Sequence, residues 1–223
     1  MGAPDYAAAL AARSARPLSG EVFGAMINLS GRRRFTSQRI VLYALLALQG
    51  EEASLAVARE ALGLFRNAHQ ALLEESDGLP GVFCPELQRA YFGQEEGDRK
   101  IRAFADLAER TLRAIETASA EAQALQAELV QQTTPTLDVL NQITAIYEEQ
   151  SRLHARQMKR QLRSVISDIE TINREARMVA FNARIVAARA GRAGVEFSVV
   201  AGVMSNISGE IDQMIATALA AAE

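Results

Sequence analysis

The sequence predicts an all-α chain: a four-helix bundle whose fourth helix continues into an antiparallel coiled-coil hairpin, with two copies paired as a dimer. Three observations carry this. Aromatic residues make up 5% of the 223 positions, with no Trp, while apolar residues reach 49%, a balance that favours helix over sheet. Glycines and prolines cluster, leaving long stretches without a breaker. Above all, two apolar seams at heptad spacing flank one glycine-punctuated turn. The ascending seam is Val165, Ile169, Ile172, Ala176, Val179, Ala183, Val186 and Ala190; the descending seam is Val200, Met204, Ile207, Ile211, Met214 and Ala218. A 4-3 alternation keeps side chains on one helix face and favours coiled-coil packing. Gly191-Arg192-Ala193-Gly194 between the seams lets the chain reverse.

Residues 1–19 show no seam and read as a loosely ordered leader. A first helix spans 20–49, and Gly50 closes it. Glu51 and Glu52 then place negative charge at the start of the next helix. That helix, 53–75, carries Leu55, Ala58, Leu62, Phe65 and Leu72 on one seam and stops at Ser76-Asp77-Gly78. Residues 77–98 are rich in Gly and Pro, yet Val82, Phe83, Leu87, Tyr91 and Phe92 lie among them. They predict a loop or short helix packed on the body. A third helix covers 98–132 and breaks at Thr133-Thr134-Pro135, where Thr134 caps and Pro135 opens the fourth helix.

From 135 to 190 nothing interrupts the fourth helix, about 84 Å at 1.5 Å per residue. The descending arm, 196–223, reaches only about 42 Å, so only the distal half of the fourth helix has a partner there. The proximal half, with Leu137, Leu140, Ile143, Ile146 and Tyr147, must pack on helices one to three. The division expected is a leader at 1–19, a sensory bundle at 20–160 and a hairpin at 161–223 with its tip near 191–195.

Several function classes are disfavoured. A net charge of −3 gives no general attraction to nucleic acid or anionic lipid. The longest apolar run, 40–48, spans about 14 Å, roughly half a bilayer core. With no membrane span and no secretory signal at 1–18, a cytoplasmic protein is expected. Cys84 is the lone cysteine, which excludes an intrachain disulfide, and it reads as a small buried hydrophobe. His69 and His154 have no ligand spacing to carboxylates, so no metal site is expected. The glycine-rich turn lacks the strand and Lys-Ser/Thr of a phosphate loop. No catalytic constellation and no cofactor motif is visible, and the chain is read as a non-enzyme.

The first helix contains Ile27-Asn28-Leu29-Ser30-Gly31-Arg32-Arg33-Arg34-Phe35-Thr36-Ser37-Gln38-Arg39. Steps of seven through Ile27, Arg34, Val41 and Leu48 make a seam that is apolar at both ends and charged at its centre. A guanidinium facing a helix interface needs an acceptor, because an unpaired buried charge costs several kcal/mol. Arg34 therefore either pairs with a carboxylate of a neighbouring helix, or snorkels to water, or holds an anion. A nucleic-acid role for the arginine run lacks a wider basic face.

Two resemblances sharpen these alternatives. Asn182-Ala183-Arg184-Ile185-Val186-Ala187-Ala188-Arg189-Ala190-Gly191, followed by Gly194, Phe197, Val199, Val200 and Ala201, resembles the signalling tip of bacterial chemoreceptors (methyl-accepting chemotaxis proteins). In that family the tip binds a histidine kinase and a small coupling protein. The resemblance places the partner surface on Asn182, Arg189, Gly191, Gly194, Phe197 and Val200. Val186 and Arg192 stand where the family carries glutamates, and Arg174 where it carries an aromatic, which changes the charged partners the tip accepts. The segment around Ile27-Asn28, Gly31-Arg32, Arg34 and Ser37-Gln38-Arg39 is similar to the opening motif of the type IV pilus transducer (PilJ-type) sensory domain. It also resembles the nitrate/nitrite-binding segment of certain sensor kinases. Leu140-Asn141, Ile143, Ile146-Tyr147-Glu148 and Ser151 fit the same family. This resemblance implies a planar anion held across a dimer interface by Arg34, with Arg32, Ser37, Gln38 and Arg39 in support. A guanidinium and a nitrate do present paired donors and paired oxygens in one plane.

The function expected is a soluble chemoreceptor-like signalling homodimer that senses a small anion such as nitrate or nitrite and moves a helix against a kinase and coupling protein. The competing expectation is a ligand-free helical scaffold whose tip binds a non-kinase partner.

Overall fold

The structure, a computed structural model, describes residues 18–221. The leader expected at 1–19 lies outside the described residues apart from Leu18 and Ser19. The chain is all-α, with α1 at Gly20–Leu48, α2 at Glu52–Leu73, a short α3 at Pro85–Phe92, α4 at Gly97–Glu116, α5 at Ala122–Arg189 and α6 at Val195–Ala221. Two two-residue strands, β1 (Glu75–Ser76) and β2 (Leu79–Pro80), pair antiparallel after α2. Asp77 and Gly78 turn them with φ of 50° and 80°, as a tight hairpin requires. The chain divides into two compact units, Met1–His154 and Ala155–Glu223, and α5 contributes residues to both.

In the first unit, α1, α2, α4 and the first part of α5 enclose one apolar core with α3 tucked against it. Phe23, Met26, Ile40 and Ala44 enter from α1, and Ala58, Leu62, Phe65 and Leu72 from α2. Phe104, Ala108 and Leu112 enter from α4, and Leu129, Leu140, Ile143 and Tyr147 from α5. Residues 77–98 pack as expected: Val82, Phe83, Leu87 and Tyr91 are buried, although Phe92 is exposed. Gly97 permits the close approach of α4 to α3, since a Cβ there would stand 2.4 Å from the Ala90 carbonyl oxygen.

The break expected at Thr133-Thr134-Pro135 is not there. Pro135 lies inside α5, and the chain turns instead at Thr117–Glu121, where Ala118 has φ of 48° and the Ser119 hydroxyl accepts from the Glu121 N–H at 3.3 Å. A mid-helix proline costs about 3 kcal/mol. Here the turns on either side bury Leu129, Thr136 and Leu140, and that burial holds the helix through the defect.

The buried face of α1 also differs from the predicted one. Phe23, Met26, Ser30, Arg33, Ser37, Ile40 and Ala44 face the core, stepping 3-4-3-4-3-4, whereas Ile27, Arg34, Val41 and Leu48 are half-buried at its margin. The heptad is real, but the line that packs within the chain is rotated by one residue, about 100° of helix.

In the second unit the same displacement recurs. The two arms meet along Ile166, Asn173, Ala180 and Ala187 on α5, and Gly194, Ala201, Ser208 and Ile215 at and beyond the turn, all buried and each seven apart. The seam expected at Val165, Ile169, Ile172, Val179 and Val186 stays exposed beside that line, as do Val200, Ile207 and Met214 on α6. Small residues set the approach at the turn: a Cβ on Gly194 would fall 2.1 Å from the Ala187 carbonyl oxygen. One polar layer crosses the hairpin. Asn173 Nδ2 donates to the Ser208 carbonyl (2.9 Å) and to Asp212 Oδ1 (2.7 Å), and Arg177 pairs with the same carboxylate. A buried amide of this kind fixes register, because any slip leaves it unpaired.

Candidate functional site

The densest constellation of polar side chains in the first unit is centred on Arg33. Its side chain is fully buried, at 0% exposure, and among the described residues no carboxylate is in direct contact with it. Three hydrogen-bonded branches leave it instead. Nη2 donates to Ser30 Oγ at 3.0 Å, Ser30 meets Thr144 Oγ1 at 2.8 Å, and Thr144 donates to the Leu140 carbonyl at 2.7 Å. Nη1 donates to Tyr91 Oη at 3.0 Å, and Tyr91 lies 3.3 Å from Tyr147 Oη. Nη1 also reaches His69 Nδ1 at 3.0 Å, and His69 Nε2 lies 2.9 Å from Asp98 Oδ1, which accepts from Arg102 Nε at 2.8 Å.

These contacts fix the state of the imidazole. A guanidinium only donates, so Nδ1 must be the unprotonated acceptor and Nε2 must carry the proton that it donates to Asp98. Burial, and then the nearby Arg33 charge, lower the His69 pKa to about 4, against the opposing hydrogen bond and charge of Asp98. His69 is thus a neutral relay between a buried cation and a carboxylate at the first turn of α4, where the helix dipole favours negative charge. Burial, and then the neighbouring Tyr91, push the Tyr147 hydroxyl well above its ordinary value. The network ties all five helices of the unit together. Such groups are costly if left unpaired and restrictive when satisfied.

This constellation escaped the sequence reading, which put Arg34 at the centre of the α1 seam and set His69 apart from any carboxylate. The signal that could have found it was the second heptad on α1, in which Phe23, Met26, Ile40 and Ala44 bracket Ser30, Arg33 and Ser37. The pairing of His69 with Asp98, 29 residues later, had no local signal.

The five residues expected to hold an anion do not converge within one copy. Arg34 is half-buried on the outer margin of α1 and donates to Asn141 Oδ1 at 3.3 Å. Gln38 lies one turn further along and is exposed, as is Arg32. Ser37 is buried and donates its hydroxyl to the Arg34 carbonyl at 2.8 Å. Arg39 turns towards α2, 3.9 Å from Glu60, with Phe35 and Tyr43 under its guanidinium. Arg34 and Gln38 share a face; Arg32 and Arg39 point elsewhere.

At the hairpin tip, Asn182, Arg189, Gly191, Phe197 and Val200 are exposed, while Gly194 is buried against Ala187. Gly191 takes φ of 56°, a conformation that favours glycine. Phe197, at 57% exposure, is a large apolar surface for so small a turn. Cys84 is buried, and burial pushes its thiol up to about 11, which leaves it inert as a nucleophile. A cavity of about 220 Å³ beside His69 is lined by Arg66 and Arg102, but both guanidinia already face carboxylates. Among the described residues no group of three or more His, Cys, Asp or Glu is placed to hold a metal ion, and no helix is long and apolar enough to cross a membrane. No protein-family model, curated protein or solved structure matches the chain.

Proposed function

We propose that the protein is a cytoplasmic helical signalling protein of the chemoreceptor type, working as a homodimer whose hairpin tip docks a kinase or coupling partner. The observation that carries this reading is the exposed heptad stripe of the hairpin. Val165, Ile172, Val179 and Val186 on α5, with Val200, Ile207 and Met214 on α6, are each at least half exposed, and all flank the intramolecular contact line on the same side. A contiguous apolar face of this length needs a cover, and a twofold partner presenting the same face supplies one by closing a four-helix bundle. The outer margin of α1 offers a second such line, with Phe35, Leu42 and Leu45 exposed beside Arg34. An anion between two facing Arg34 side chains is the input this reading assigns, and α5 is the element whose shift would carry it to the tip.

Sedimentation equilibrium of the wild type and of Ile172→Glu/Val179→Glu tests the assembly: a dimer that becomes monomeric is expected, and a monomeric wild type overturns the reading. A thermal-shift series with nitrate, nitrite, chloride and sulfate, on wild type and Arg34→Ala, tests the input. A selective rise that the variant loses is expected. A flat series favours the second reading, a scaffold without small ligand whose tip binds a non-kinase partner, for which Val186 and Arg192 at the tip are the supporting residues.

A further inference from the structure

In the first unit α4 and α5 leave a cavity of about 440 Å³ between them, within the roughly 300–1,000 Å³ of small-molecule sites. The two helices run antiparallel: the chain reverses at Thr117–Glu121, and at the far end a Cβ on Gly97 would stand 3.4 Å from Ile143 Cδ1. Seven residues inward from that contact, Phe104 and Thr136 fall level. Phe104 and Leu107, 2% and 6% exposed, form an apolar floor with Pro135. The rim is polar, with Lys100 at one end and Arg110, Glu128 and Gln132 towards the other, all exposed.

Two groups of this cavity lack a partner within the chain. Thr136 is 4% exposed, yet its hydroxyl makes no hydrogen bond among the described residues. Thr111, Thr133 and Thr144 on the same two helices each donate to the carbonyl four residues back, at 2.8, 2.9 and 2.7 Å. The Thr136 oxygen is not sealed in protein either, since the fully occluded unpaired side-chain atoms belong to Arg33, Gln126 and Asn173. It remains reachable from the cavity that Thr136 lines. A buried polar group without a partner is costly. The second group is the Lys100 ammonium, which takes part in no ion pair among the described residues. No carboxylate lines the cavity at its end, whereas the helix register sets Glu128 across from Arg110 at the other.

We propose that this cavity binds a small organic carboxylate. Its charged group lies between the Lys100 ammonium and the Thr136 hydroxyl, and its aromatic or aliphatic body lies along Phe104, Leu107 and Pro135. The hydroxyl donates one hydrogen bond to a carboxylate oxygen, and Lys100 brings further donors on a flexible stem. At the other end Arg110, Glu128 and Gln132 offer donors and acceptors to a polar substituent. Lys100 and Arg110 are about 15 Å apart along α4, a span for a small molecule, since a stable protein partner covers about 800 Å². The inference rests on neither Arg34 nor the hairpin tip.

Isothermal titration calorimetry on the full chain tests this, with 3-phenylpropionate and octanoate as probes and 3-phenylpropanamide as the uncharged control. One saturable site per chain is expected for at least one carboxylate, with the amide at least about tenfold weaker. Ala103→Phe, on the exposed wall of the cavity, fills the space without entering the core and should abolish binding. Lys100→Gln should weaken the carboxylate about tenfold and leave the amide unchanged. Thr136→Val should weaken it about threefold or more while the melting temperature read by tyrosine fluorescence stays level or rises; a hydroxyl needed only for structure would give the reverse. No saturable binding of either carboxylate up to about 10 mM, or equal binding of the amide, overturns the proposal. So does binding that Ala103→Phe leaves intact, which assigns the probes to the exposed hairpin stripe, or binding lost in Arg34→Ala, which assigns them to the margin of α1. Carboxylate binding unaltered by both Lys100→Gln and Thr136→Val overturns it as well.

Discussion

Replacing His69 by Gln removes the one titrating relay of the Arg33 network while keeping an acceptor for Arg33 and a donor for Asp98. In the folded chain His69 stays neutral down to about pH 4, whereas the unfolded imidazole takes up its proton near 6.5. Between those values the unfolded state binds more protons, so the stability His69 confers is complete above about 6.5 and falls as pH drops towards 4. Linkage over that window gives a loss of about 2 kcal/mol at about pH 5 and about 3 kcal/mol at about pH 4, relative to neutrality. All four tyrosines lie before residue 150 and there is no Trp, so tyrosine fluorescence during urea unfolding reports the first unit alone. Other ionisable groups act in both proteins and cancel in the difference. From roughly pH 7.5 to roughly pH 5 the wild type should lose about 2 kcal/mol more than His69→Gln. Parallel pH profiles would refute the tautomer and the charge relay built on it.

Four further outcomes follow from the geometry. Arg33→Met should cost about 1–3 kcal/mol in the same unfolding assay, because it leaves the buried Nδ1 of His69 without its donor, while Arg34→Met at the helix margin should cost under about 1 kcal/mol. In the hairpin, Gly194→Ala drives a methyl into the Ala187 carbonyl and should lower the melting temperature read by helical ellipticity. Ala201→Leu should overpack the same contact line at a cost of about 1–3 kcal/mol. Cys84, buried and poorly ionised, should react with a thiol reagent only after urea unfolds the first unit.

Helix identity was legible wherever periodicity and punctuation agreed. The boundaries of α1 and α6 fell within a residue or two of expectation, because Gly50 and the Gly191–Gly194 turn leave the backbone little choice. Rotation of the helices was not legible. In the hairpin two adjacent heptad lines are present, one mostly small or polar and one large and apolar; hydrophobicity alone selects the large one, yet the chain packs internally on the other, where Ala180, Ala187 and Gly194 let backbones approach. On α1 the buried line is apolar at both ends, with Phe23, Met26, Ile40 and Ala44, and polar at its centre, with Ser30, Arg33 and Ser37. The α4–α5 break was misplaced because Pro135 is the loudest local signal, whereas burial on both sides of it decides the outcome. Of the Arg33 network only the arginine run could be noticed in advance, since His69, Tyr91, Asp98 and Tyr147 come together through tertiary packing.

The inner line of the hairpin has a consequence for how this part of the chain folds. Apart from Ile166 and Ile215 the line consists of alanines, a glycine, a serine and an amide, which bury little area, so the two arms gain little from each other compared with the side chains they leave outside. On the pairing proposed above, helix formation in the second unit depends on the cover of the outer stripe: ordering and association become one event, governed by mass action, whereas the first unit encloses its own core. On the same reading, one end of the single helix α5 keeps its structure at any dilution and the other holds it on loan from a neighbour.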